Sequence, residues 1–320
     1  MDNQDKLLKA IRQKSGMAAS IIDVVATVLN ISYDAAHRRV SQKSKFSIEE
    51  AITLCRHFSL SMDVLFNDGK NVIVEKTSEI RTMADMGRYF KESAEKLTDY
   101  LLEPDARMFY SAKDIPLFYT IGGTLLSKFK LYVWLNLLAG TQNQGNFESF
   151  TIDQSLLEHS TKLKAVYDHA EVNEIWNDTT INSTLQQIYY FYQSGLLSLP
   201  TALLLGDDLK KILQSAEDRC CNGNNNFHLY YNELLILNNN VLVSSPRQQS
   251  LFVPYTMLGY FITRDTDTCA NAADYFKHQL KNSKSLNLSG TRDRKLFFNK
   301  AYQKVDFYIQ KMQTEVDLGF

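Results

Sequence analysis

Over the first 66 residues, apolar positions recur at helical spacing in short bursts. Lys6–Lys14 carries Leu7, Leu8 and Ile11 on one stripe. Ser20–Leu29 is a second segment, with Ser20 and Asp23 suited to its start, and Asn30-Ile31-Ser32 breaks it before a third over Tyr33–Ser41. Ser47-Ile48-Glu49-Glu50 is an S-x-x-E capping box that opens a fourth helix running to about Phe58. Ser61 caps a last turn over Met62–Phe66, and Asn67-Asp68-Gly69 supplies the turn chemistry that closes the unit. The pattern predicts a five-helix domain over residues 1–70.

Beyond it, apolar or small residues fall at Ile80, Met83, Gly87, Phe90, Ala94, Leu97 and Leu101, within a helix predicted over Thr77–Glu103 and ended by Pro104. Residues 71–104 therefore read as a linker helix. Its heptad spacing suits a coiled-coil dimer seam, and suits better an amphipathic helix lying on a second domain, because Gly87 and Ala94 make poor knobs. Residues 105–320 read as an α-rich domain. Helices are predicted over Gly123–Leu138, Asp153–His169, Thr180–Leu197, Asp207–Cys221, Asp267–Lys281 and Thr291–Gln313, with Asp207-Asp208 capping the fourth. Phe227–Leu237 and Val241–Ser244 read as a small β-hairpin across Asn238-Asn239-Asn240, since asparagine tolerates the left-handed conformation of such a turn. A short strand falls near Arg107–Ser111, and Gly140–Asn146 and Asn222–Asn226 read as loops. The expected fold class is mainly α.

Composition refines this picture. Apolar residues are 44% of the 320 and charged residues 22%, ordinary for a globular protein of two domains, and 17 Tyr with 18 Phe imply a ring-rich core. The formal net charge of −1 excludes a chain that is basic throughout, so attraction to nucleic acid has to be local. Cys55, Cys220, Cys221 and Cys269 form no C-x-x-C pair and no zinc spacing, and read as reduced thiols. Met1–Asp5 is polar and acidic, unlike a signal peptide. The longest apolar runs, Leu131–Ala139 and Leu196–Leu205, are short and contain Asn136 and Pro200, so a cytoplasmic protein without a membrane partner is expected.

The segment with functional grammar is Ala26–Val40. Two helices crossing at a tight turn need a small residue at the crossing, a turn residue tolerant of positive φ, apolar plugs and a polar outer face on the second helix. Ala26, Asn30, Ile31 with Leu29 and Val40, and the Ser32 cap fill those places in order, with Ala35 and Ala36 facing inward. Tyr33, Asp34, His37 and Arg38 are left facing outward. Between Tyr33 and Phe46, Arg38, Arg39, Lys43 and Lys45 stand against one acid, the local cationic patch that phosphate attraction requires.

Ala26–Ser32, then Ala35-Ala36-His37-Arg38-Arg39-Val40, then Phe46-Ser47-Ile48-Glu49-Glu50-Ala51 and Arg56–Asp63, resemble the Cro/lambda-repressor-like superfamily, most of all its BetR-type branch. The resemblance covers about residues 5–66. Beyond it, Ala112–Pro116 and Tyr190–Leu196 resemble the long C-terminal regions attached to such domains in Bacteroidetes-type regulators. The resemblance implies that the third helix reads the major groove of double-stranded DNA. Arg38 is then the candidate for bidentate guanine readout, and Tyr33 and His37 for base edges or backbone. Asp34 stands as a cytosine acceptor or a first-turn acid, and Lys43 and Lys45 as phosphate contacts. Two positions depart from the family pattern. Ile22 stands where a phosphate-touching Gln is common, and Arg39 where a small residue is frequent, so Arg39 is expected to reach a phosphate rather than a base.

No H-E-x-x-H, G-x-S-x-G or P-loop spacing occurs, so no enzyme, metal or cofactor is expected. The aromatic clusters at Phe118-Tyr119, Tyr132–Trp134, Tyr189–Tyr192, Tyr230-Tyr231 and Tyr255–Phe261 read as core or as the lining of an effector pocket. The expectation is a homodimeric DNA-binding transcriptional regulator whose C-terminal domain dimerises and takes a small-molecule or protein effector. The alternative is a protein-interaction adaptor.

Overall fold

The computed structural model describes residues 2–15, 20–66, 71–101, 103, 105–138, 145–221, 226–234, 238–287 and 291–317. The chain is mainly helical and divides into two compact units, Met1–Ile73 and Val74–Phe320.

The first unit comprises α1 (Asn3–Ser15), α2 (Ile21–Leu29), α3 (Tyr33–Val40), α4 (Ile48–His57) and α5 (Met62–Phe66). Its core is small: Leu7, Ile11, Val25, Ala36, Leu54 and Cys55 are buried at its centre. Ser20 takes the N-cap position of α2 without a side-chain hydrogen bond, whereas the Ser47–Glu50 capping box on α4 is made in both directions. The Asn67-Asp68-Gly69 turn lies outside the described residues.

The second unit carries helices α6 (Met83–Leu101), α7 (Leu125–Leu138), α8 (Gln154–His169), α9 (Asn182–Gln193), α10 (Leu199–Cys221), α11 (Thr266–Lys281) and α12 (Thr291–Asp317). Its strands are β1 (Glu75–Lys76), β2 (Arg107–Ser111), β3 (Glu171–Trp176), β4 (Phe227–Tyr231), β5 (Val241–Ser244), β6 (Gln249–Pro254), β7 (Tyr260–Thr263) and β8 (Lys284–Ser285). They form one sheet in the order β1-β7-β6-β5-β2-β3-β4-β8, with β2, β3 and β4 parallel and the other pairings antiparallel.

This sheet corrects the expected hairpin. β4 pairs with β3 and β8, and β5 with β2 and β6, so the two strands flank β2–β3 instead of pairing. Asn239 does adopt the left-handed conformation, at φ 53°, but its side chain accepts from the Asp114 N–H (3.0 Å) instead of closing a hairpin. Two-residue or three-residue turn chemistry cannot distinguish a hairpin from a connection between distant strands, because both need the same backbone conformation.

The linker expectation changes as well. α6 starts at Met83, where Thr82 and Asp85 cap one another's backbone N–H groups, and β1 already joins the sheet before it. Much of the heptad stripe is covered within the chain: Phe90, Ala94 and Leu97 are buried in the core that α6 shares with α8. A Cβ at Gly87 would stand 3.8 Å from Leu156 Cδ1, so the small residues reflect a close approach of α8 rather than a dimer seam.

α10 begins eight residues before its expected start, with Pro200 in the first turn, where no amide hydrogen is needed. Asp207 and Asp208 therefore lie inside it and do not cap it. Asp208 Oδ2 instead accepts from the Leu126 N–H (3.2 Å), capping α7 from a distant helix. Among the described residues no helix is long and apolar enough to cross a membrane, and all four cysteines are free.

Candidate nucleic-acid interface

α2 ends because Asn30 turns left-handed (φ 52°, ψ 48°), a conformation that costs most other side chains about 1–2 kcal/mol. The Ile31 N–H returns to Ala26 O at 3.0 Å, and the Ile31 side chain packs against the unit's core. Ser32 follows in extended conformation and its Oγ accepts from the Ala35 N–H at 3.3 Å, which starts α3. Ala36 is fully buried against α2, while Tyr33, Asp34, His37 and Arg38 are exposed. Ile22 packs on the core and presents no polar group.

The four cations have different fates. Arg38 and Lys43 are exposed, and their side chains make no hydrogen bond or ion pair with another described residue. Lys45 is paired with Asp2, both well exposed. Arg39 forms a two-pronged pair with Glu50, Nε to Oε2 at 2.9 Å and an NH2 nitrogen to Oε1 at 2.7 Å, and donates to Ala35 O at 3.2 Å. The two side chains are only 23% and 19% exposed. The guanidinium for which a phosphate contact is expected thus ties α3 to α4. Glu50 already serves in the capping box, accepting from the Ser47 N–H at 3.0 Å, so one carboxylate holds both helices. The Arg39 hydrogen bond holds the Glu50 carboxyl below the usual carboxylate range.

Gln4 is the residue the sequence did not single out. It is buried, donates from Nε2 to Arg39 O (2.6 Å) and Ser44 O (3.0 Å), and accepts at Oε1 from the Phe46 N–H (3.1 Å). One α1 side chain thus fixes both ends of the loop that carries Lys43. Nothing in the polar, acidic stretch around Gln4 signals this, because its partners are backbone groups about forty residues away.

Among the described residues of the second unit, Glu174 and Lys130 are buried charged side chains that sequence reading also missed. Glu174, fully buried on β3, accepts from Trp176 Nε1 (2.7 Å), from the Tyr119 hydroxyl (3.2 Å) and from the Tyr167 hydroxyl. Burial lifts its carboxyl above the usual range, opposed by the Tyr167 hydrogen bond and by the Arg219 guanidinium, which lies 3.9 Å from the Phe227 ring centre. Lys130 is buried on α7 with Nζ at 2.8 Å from Gln187 Oε1 and 3.2 Å from Thr184 Oγ1. Both groups are satisfied by their neighbours, the condition for a polar side chain to order a core. Of the aromatic clusters, Tyr132, Phe129, Phe147 and Phe191 form a solid edge-to-face packing, whereas Phe118 and Tyr260 border a cavity.

Comparison with protein-family models, curated proteins and solved structures finds no match to this chain.

Proposed function

We propose that residues 1–73 bind double-stranded DNA through α3, and that the chain is a sequence-specific transcription regulator of the Cro/lambda-repressor-like kind. The observation that carries this reading is the Asn30–Ser32 turn, which ends one helix in a left-handed residue, caps the next and leaves Arg38 free on its outer side. In this reading Arg38 reads a guanine, and Tyr33 and His37 touch neighbouring base edges or backbone. Lys43 and the Ser32 end of α3 meet phosphate, and Lys45 exchanges Asp2 for phosphate at small cost, since an exposed pair is worth about 0–1 kcal/mol. Arg39 positions α3 and touches no DNA. The second unit dimerises, which sets two α3 helices about 34 Å apart on an inverted-repeat operator.

Selection of bound duplexes from a random pool, followed by affinity against salt, tests the proposal. The expected result is an enriched palindrome and a log–log salt slope of about −0.9 per phosphate contacted. A pool that shows no enrichment and binding indifferent to salt overturns it. The exposure of Tyr33 (53%), Ile48 (72%) and Val64 (60%) favours the second reading, an adaptor whose first unit docks a protein. Salt-independent capture of a protein through those three residues is its signature.

A further inference from the structure

Beneath α6 the second unit carries a partly open pocket of about 190 Å³. Leu97, Met108, Val241, Phe252 and Ile262 supply apolar walls from one helix and four strands. For scale, an engineered apolar cavity of about 150 Å³ takes up benzene.

Three phenols converge on the pocket, beside Thr77, Ser78, Glu92 and Ser93. Tyr89, Tyr110 and Tyr260 line it, and the Tyr110 hydroxyl interacts with that of Tyr260. Burial raises all three phenols above their ordinary value, so they stay neutral. The lysines at the border already have partners: Lys76 bonds Glu79 (3.0 Å) and Lys96 bonds Glu75 (3.2 Å). Among the described residues Glu92, also at the border, takes only the Ser78 hydroxyl (3.5 Å). An anionic ligand would therefore find no unpaired lysine among the described lining residues, whereas a neutral hydroxyl or carbonyl would find tyrosine hydroxyls.

One side of the cavity is Lys76, Thr77 and Ser78, close after Val74, where the second unit begins. Thr77 is tied to β7 from both directions: its N–H donates to Tyr260 O (3.0 Å), and its Oγ1 accepts from the Tyr260 N–H (2.9 Å). An occupant touching the Tyr260 ring thus bears on the segment through which the chain passes from one unit to the other.

We propose that this cavity binds a small neutral aromatic effector, a single ring bearing one hydroxyl or carbonyl, and that occupancy orders the Glu75–Ser78 segment. The inference deepens the regulatory reading above, but its binding step does not require that reading. The probes are p-cresol and toluene, of similar size and differing in the hydroxyl, titrated into the full chain by calorimetry and NMR, with hydrogen exchange followed at residues 74–78. The expected result is one saturable p-cresol site per chain and slower exchange at Thr77. Tyr110→Phe should weaken p-cresol roughly three- to tenfold while leaving toluene unchanged. Leu97→Trp, which fills the cavity, should abolish both. Absence of saturable binding by either probe, or equal weakening of both by Tyr110→Phe, overturns the site. Binding without slower exchange at 74–78 overturns the coupling. Saturable p-cresol binding in a chain that shows no affinity for DNA leaves the cavity standing and removes the DNA reading alone.

Discussion

Arg38 and Arg39 are adjacent, identical in charge, and expected to behave oppositely when removed. Arg39→Met keeps the aliphatic stem and deletes two charge-assisted hydrogen bonds to Glu50 and one to Ala35 O. Such bonds contribute about 1.5–3 kcal/mol when buried and nearer 1 kcal/mol when wet. With both side chains about one-fifth exposed, the pair as a whole should stabilise the first unit by about 2 kcal/mol. In a unit of this size that corresponds to a fall of about 8–16 °C in melting temperature. Arg38→Ala removes an exposed side chain that has no partner among the described residues, and should change stability by less than about 0.5 kcal/mol. On DNA the order reverses. Arg38→Ala should lower affinity for a selected operator about 5- to 150-fold and relax preference at one base pair. Below its melting point, Arg39→Met should retain the wild-type salt slope. Fluorescence anisotropy across a salt series and calorimetric melting of the same samples read both quantities. An Arg39→Met protein that melts normally yet loses operator affinity and about one unit of salt slope would refute the assignment of Arg39 to Glu50.

Other outcomes can be checked in the same way. Lys43→Ala should weaken binding to all duplexes alike and flatten the salt slope by about 0.9, without altering the selected sequence. Because the Glu50 carboxyl is held below its ordinary value in the folded unit, its contribution is complete above the unfolded value and is lost as pH falls through the folded one. The melting temperature should therefore drop on acidification below about pH 5, and less steeply in Glu50→Gln. Asn30→Gly should be neutral to slightly stabilising, whereas Asn30→Ala should cost about 1 kcal/mol by denaturant titration, since only the first accepts φ 52° freely. Asp208→Ala should cost about 1 kcal/mol by exposing the start of α7, and Asp208→Asn should restore most of it.

The sequence by itself determined the features that depend on near neighbours. Asn30, Ser32 and the Ser47–Glu50 box were legible because a left-handed turn and a helix cap are satisfied within three or four residues, and local chemistry dictates them. The tertiary structure decided everything that depends on a partner far along the chain. Gly87 and Ala94 weigh against a dimer stripe without excluding it until α8 covers them. Asp208 has the composition of a cap, but the helix it caps begins eighty residues earlier. β3 carries two glutamates and an asparagine, which mask a buried central strand until the distant Tyr119 joins the nearby Tyr167 and Trp176 in satisfying Glu174. The same holds within the candidate interface. Arg38, Arg39, Lys43 and Lys45 predict a patch, yet Glu50 withdraws Arg39 and Asp2 engages Lys45, leaving Arg38 and Lys43 without a side-chain partner among the described residues. Charge is a property of the sequence, whereas its availability to a partner depends on which opposite charge the fold brings within about 3 Å.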